Sequence, residues 1–71
     1  MNRGYLQKFA NNLKKLRKIK GIKQDDFLEV QGISRSTVSM VETCKTDITL
    51  SKLKIIADVL NVHPKDLLDF E

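Results

Sequence analysis

Between positions 5 and 20 the apolar residues are Leu6, Phe9, Ala10, Leu13 and Leu16, in steps of three and four. That spacing keeps them on one side of a helix of 3.6 residues per turn. Lys8, Lys15 and Lys18 take the other side. The pattern predicts a first helix over 5–20, closed by Gly21 as its C-cap. Arg17 lies four residues after Leu13 and so belongs to the apolar stripe, where a charge needs an acidic partner. A second, shorter helix is predicted over 24–31. Asp25 and Asp26 sit in its first turn, where the helix dipole favours negative charge, and Gly32 ends it. A third opens at Ser34, a good N-cap residue, and runs over 35–43. Val38 and Val41 share its inner side, with Ser36, Ser39, Met40 and Thr43 roughly opposite and Arg35 near the start. A fourth helix, capped by Thr49, is predicted over 50–60, with Leu50, Leu53, Ile56, Ala57 and Leu60 as its core stripe. Ile55 and Val59 point away from that stripe. A fifth begins with His63 as cap and Pro64 at the first helical position, which tolerates proline; it carries Leu67, Leu68 and Phe70. No strand-type alternation occurs, so the expected fold is all-α, with five short helices.

Charge adds a direction to this picture. The net value is +4, but residues 1–23 carry eight bases and no acid, whereas the remainder carries five bases and nine acids. Such asymmetry suits a polyanionic partner, nucleic acid or an anionic membrane surface. At 71 residues the chain has room for one domain near the lower limit for a self-sufficient core. It must pack well or share a core by oligomerising. A single cysteine, Cys44, excludes an intrachain disulfide and has no neighbouring Cys or His to suggest a metal site, so no metal or cofactor is expected. No apolar run approaches the ~18 residues of a membrane span, and the first residues lack the apolar block of a signal peptide. The expectation is a cytoplasmic protein. No nucleophile–base pair, phosphate-cradling glycine loop or catalytic carboxylate pair is present, which argues against an enzyme.

Two short helices joined by a tight turn containing glycine are the physical content of a helix-turn-helix. Here the unit spans about 24–43. Gly32 permits the positive φ that a sharp exit needs, Ile33 can fill the angle between the helices, and Ser34 starts the next. The outer edge of the second helix carries small polar residues, which a helix entering the major groove requires.

At these residues the chain resembles the phage lambda repressor and Cro type of helix-turn-helix. The runs that carry the likeness are Leu16-Arg17, Gly21-Ile22-Lys23-Gln24-Asp25-Asp26-Phe27 and Gly32-Ile33-Ser34-Arg35-Ser36-Thr37-Val38-Ser39-Met40-Val41-Glu42. Leu50, Leu53, Ile56-Ala57 and Leu60-Asn61-Val62 continue it, over roughly 6–69 in all. In size and layout the chain looks like the small restriction-modification controller proteins of that family. The resemblance implies a five-helix, lambda-repressor-like domain that binds double-stranded DNA. It implies that Gln24 contacts the DNA backbone and supports the reading helix, and that Arg35 and Ser36 reach base edges. It implies further that Thr37 and Ser39 meet backbone or base edges, that Thr43, Lys45 and Thr46 touch phosphates from the following loop, and that Arg17 and Glu42 form a structural ion pair. Three positions depart from the pattern. Leu28 stands where a small Ala is usual, Gln31 where Leu is usual (with Val30 one residue earlier), and Cys44 where Gly is common. These should alter the crossing of the two helices, the end of the first, and the shape of the loop.

The expected function is a sequence-specific transcriptional regulator acting as a homodimer on a palindromic operator. Region 50–71 is the expected dimerisation region, with Ile55, Val59, Leu68 and Phe70 at the interface. The alternative is an antitoxin- or adaptor-type protein-binding module on the same fold, because fold alone does not fix function.

Overall fold

The computed structural model describes residues 3–70; the expected single domain, 1–71, and the expected dimerisation region, 50–71, also include residues 1, 2 and 71, which lie outside the described residues. Helix α1 spans Arg3–Ile19, α2 Arg35–Glu42, α3 Leu50–Leu60 and α4 Pro64–Leu67. Two single 3-10 turns, Gln24–Asp26 and Glu29–Gln31, lie between α1 and α2. Among the described residues the fold is all-helical without a strand, as the periodicity predicts. Four α-helices are present rather than five, because the segment expected to form a helix over 24–31 breaks in the middle.

The break has a physical cause. Phe27 and Leu28 are extended, at φ −86°, ψ 120° and φ −115°, ψ 143°. Extended backbone sends successive side chains to opposite sides, so Phe27 enters the core while Leu28 stays exposed. A continuous helix would place Leu28 one turn after Gln24, on the side that approaches α2, where the family pattern has a small residue. Each turn secures its own start instead. The Lys23 N–H donates to Asp26 Oδ2 at 2.7 Å, and the Leu28 N–H donates to Gln31 Oε1 at 3.0 Å.

The core joins Phe9 and Leu13 of α1, Phe27, Ile33, Val38 and Val41 of the central segment, and Leu53, Ile56, Ala57, Leu60 and Leu67 behind them. Predicted caps hold at α2, where Ser34 Oγ accepts the Thr37 N–H at 3.2 Å, and at α3, where Thr49 Oγ1 accepts the Lys52 N–H at 3.1 Å. At α4 the cap works differently from expectation. The His63 side chain makes no capping bond; Asp66 Oδ2 accepts the His63 backbone N–H at 3.1 Å. Asn12, buried on the α1 stripe, donates from Nδ2 to the carbonyls of Asp66 and Leu67 at 3.0 and 2.9 Å, tying α1 to the end of α4.

Two expectations about α3 change. Leu50 is 82% exposed. The stripe overruns the core by one residue at the helix start, and Leu50 stands at the rim of an apolar groove lined also by Tyr5, Leu6, Phe9, Ile48, Leu53 and Leu68. Ile55 and Val59 do not point away into solvent; both are half-buried against the core. Ile55 covers the turn, its Cδ1 lying 2.8 Å from where a Cβ on Gly32 would be.

Candidate nucleic-acid interface

Helix α2 is fixed from within by apolar packing and by one charge network. Val38 and Val41 are buried, and so is Glu42. Arg17 reaches across from α1 and donates from Nε to Glu42 Oε2 at 2.7 Å and from Nη2 to Oε1 at 3.0 Å. Its Nη1 donates to the Ile22 carbonyl at 3.0 Å, and Gln24 Nε2 donates to Glu42 Oε1 at 3.0 Å. The two charged side chains are 12% and 1% exposed. The bidentate fork and the added donors satisfy both groups, which is the condition under which a buried pair is tolerated. The misplaced charge on the α1 stripe thus finds the acid predicted for it.

The joint before α2 is set by Gly32, at φ 99° and ψ 3°. Its carbonyl accepts from Lys52 Nζ of α3. The turn is therefore held by Ile55 and Lys52 of α3 and by the buried Ile33, and α2 leaves it at a fixed angle.

With its inner side committed, α2 turns a polar edge outward. Arg35, Ser36, Met40 and Thr43 are exposed and Ser39 is half-buried beside them. Ser36, Met40 and Thr43 follow one another at helical spacing on this edge. Thr43 folds back, its hydroxyl donating to the Ser39 and Met40 carbonyls at 2.8 and 3.3 Å. After α2, Cys44 is buried and takes the left-handed conformation, φ 59°, where the family pattern favours Gly. The Lys45 N–H donates to the Met40 carbonyl at 2.8 Å. Lys45 is exposed and Thr46 half-buried.

Two residues expected at the interface make internal bonds. Gln24 is half-buried with its amide on Glu42. Thr37 is half-buried on the Val41 side, its Oγ1 within 3.1 Å of Ser34 Oγ, so its hydroxyl joins the helix cap. Arg35 has an acidic neighbour that spacing alone did not indicate. Its Nε lies 2.5 Å from Asp25 Oδ1, with side chains 63% and 74% exposed. The two residues are ten apart and meet only because the 24–26 turn folds back against α2. The four residues expected at a dimer interface divide among different surroundings. Ile55 and Val59 line a shallow depression with Gln31 and Asp58, Leu68 lines the apolar groove beside Leu50, and Phe70 packs its ring 5.1 Å from that of Tyr5.

Two helical limbs hinged at a left-handed glycine, the second locked inside and polar outside, define a helix-turn-helix. Residues 13–67 match the helix-turn-helix family, and the chain belongs to this family of DNA-binding transcription regulators. A curated relative, Control protein C.SmaI from Serratia marcescens, is 34% identical over 59 residues, covering 83% of this chain and 70% of the relative. The crystal structure of the restriction-modification controller protein C.AhdI from Aeromonas hydrophila matches with a TM-score of 0.80 at 32% identity, covering 87% of this chain and 94% of that one. Among the described residues no helix is long and apolar enough to cross a membrane.

Proposed function

We propose that this chain is a sequence-specific regulator that binds duplex DNA as a homodimer, with α2 in the major groove, in the manner of a restriction-modification controller protein. One observation carries the reading: α2 commits Val38, Val41 and Glu42 to the interior and leaves Arg35, Ser36, Ser39, Met40 and Thr43 as a continuous outer edge. Arg35 is the base reader, because a guanidinium pairs bidentately with guanine O6 and N7. Ser36 and Ser39 add shorter contacts, and Met40 suits a thymine methyl. Lys45 is placed for phosphate, with Thr43 and Thr46 flanking it. Gln24 acts through Glu42, holding the reading helix, and Thr37 acts through the cap. Action on DNA implies a cytoplasmic location.

Dimerisation supplies the second half-site, one helical turn or ~34 Å from the first on a palindromic operator. The surface best suited to it is the apolar groove with Leu50 and Leu68 at its edges and Tyr5 beside them, all exposed. Replacing Arg35 by Ala should cost about 1–3 kcal/mol in affinity and relax one base position in each half-site. Titration of duplexes selected from a random pool measures both, and unchanged binding would remove Arg35 from the interface. Sedimentation of Leu50→Asp and Leu68→Asp variants tests the dimer, which both should weaken. The alternative, a module that docks a partner protein, draws on the exposed Leu28 and Val30. Absence of duplex binding at low salt together with a stoichiometric protein partner would favour it.

A further inference from the structure

We propose that Asp25 is a positioning residue for base reading: it holds the Arg35 guanidinium by Nε and presents the two terminal nitrogens to guanine. The inference rests on the reading of α2 as the DNA-facing helix.

Adjacent acids in the 24–26 turn have different tasks. Asp26 turns back to its own backbone, accepting the Lys23 N–H. Asp25 reaches out of the turn to Arg35, the first residue of α2. Its carboxylate is carried by a well-anchored segment. Gln24 on one side is bonded to Glu42, itself almost wholly buried, and Phe27 on the other is in the core. The turn therefore cannot drift along α2, and the carboxylate stays beside the start of the reading helix.

The atom that Asp25 takes matters. An arginine can offer a guanine either its side, through Nε and one terminal nitrogen, or its end, through both terminal nitrogens. The closest approach of Asp25 is to Nε, which favours presentation of the end. A long exposed side chain otherwise samples many rotamers, which must be given up on binding. A carboxylate paired with the guanidinium restricts that freedom beforehand. The pair itself is exposed at both partners, so it contributes little to folding, and its consequences belong to binding.

The sign of its charge has a second effect. A carboxylate beside the polar edge of α2 repels phosphates on any duplex, and so weakens binding irrespective of sequence. It is offset only where Arg35 finds a guanine. Specificity is a difference between affinities, and a group that lowers the wrong one while supporting the right one enlarges it. Asp25 is placed to do both.

The test uses duplexes selected by the full chain from a random pool and then permuted one base pair at a time. A bidentate contact discriminates by ~10–100-fold. Asp25→Asn should lower discrimination at the guanine position by about tenfold within that range and raise affinity for an unrelated duplex. Discrimination at the other positions and the thermal midpoint should hold. Asp25→Glu should restore much of the guanine preference, and in an Arg35→Ala background Asp25→Asn should leave discrimination unaltered. In the free protein, the Arg35 Nε–H resonance should shift on Asp25→Asn. A uniform gain of affinity on all duplexes, with guanine preference intact, would overturn the proposal and leave Asp25 a mere repulsive charge. Guanine preference that survives Arg35→Ala would overturn it along with the assignment of Arg35 as reader. Loss of preference in Asp25→Asn alone, with Arg35→Ala also losing it, supports both.

Discussion

The two limbs of the helix-turn-helix are similar in length and differ in how they are built. In α2 the cap at Ser34, the apolar positions Val38 and Val41 and the acid Glu42 all favour the same helix in the same orientation. The preceding limb, 24–31, has apolar residues at Phe27, Leu28 and Val30, which no one face of a helix presents to a single partner. Only Phe27 is buried; Val30 is 89% exposed. The chain there resolves into two turns, each stabilised by a side chain returning to its own backbone. A segment becomes a continuous helix when local and tertiary preferences agree, and breaks where they do not. Helix α2 is thereby the regular limb, and the limb before it is secured at two points: Gln24 on Glu42 and Phe27 in the core.

The largest effect should come from removing the anchor of α2. Glu42→Ala leaves Arg17 buried without a carboxylate, and Gln24 without its acceptor. Breaking one partner of a buried pair costs ~3–5 kcal/mol, a large part of the roughly 5–15 kcal/mol that holds a small domain. Urea unfolding should show this as a sharply lowered midpoint. The double replacement Arg17→Met with Glu42→Leu should recover most of the loss, because the penalty lies in the unpaired charge. A midpoint barely moved by Glu42→Ala would mean that Val38 and Val41 suffice to hold α2, and that the two limbs differ less in anchoring than their contacts indicate.

What the residues disclosed beforehand follows the same division. Helix α1 was legible from its stripe and the terminator Gly21, and α3 from its stripe and the Thr49 cap; the need of Arg17 for an acid was legible because a charge on an apolar stripe demands a partner, and the resemblance supplied Glu42 as that acid. The broken limb was not, although Leu28, Val30 and Gln31 stood out as departures. Periodicity reports on one element at a time, and the segment before Leu28 packs against a second, α2. The half-burial of Ile55 was hidden for a related reason. It lies off the stripe that faces α1, but a second surface, the turn at Gly32, lies on its side. Asp25 gave no local signal, since its partner is ten residues away across two turns. Asn12 and Asp66 were equally hidden, as polar groups that bond to backbone rather than to a recognisable complement. On the outer edge of α2, exposure could be read from the helical wheel, but the engagement of Thr37 with Ser34 required the cap geometry.

The joint between the limbs should respond less strongly than the anchor. Gly32 has φ 99°, a conformation in which an L side chain is strained, and Ile55 occupies the space a Cβ would enter. Gly32→Ala should lower stability by about 1–2 kcal/mol, part of it relieved if Ile55 changes rotamer. Ile55→Val in the same background should then recover a fraction by opening that space. If Gly32→Ala proves neutral in urea unfolding, the turn is adjustable, and the fixed angle between the limbs depends on Lys52 and Ile33 rather than on the glycine.

The smallest effect in stability is expected at the break itself, and it is the most informative about its cause. Leu28 is 53% exposed, so Leu28→Ala should change stability by no more than about 0.5 kcal/mol. Its effect should appear in conformation. Alanine is the best helix former and small enough to sit between the limbs, so residues 26–29 should move toward helix. Backbone 13C shifts would record this: extended values at residues 27 and 28 in the parent chain, helical values in the variant. Gln31 should at the same time lose its bond to the residue 28 N–H, which a continuous helix would donate to a carbonyl one turn earlier. If the shifts stay extended in the variant, the size of Leu28 is not the cause. The break would then follow from Phe27, whose ring reaches the core only when the backbone beneath it is extended, and the limb would be irregular whatever residue followed.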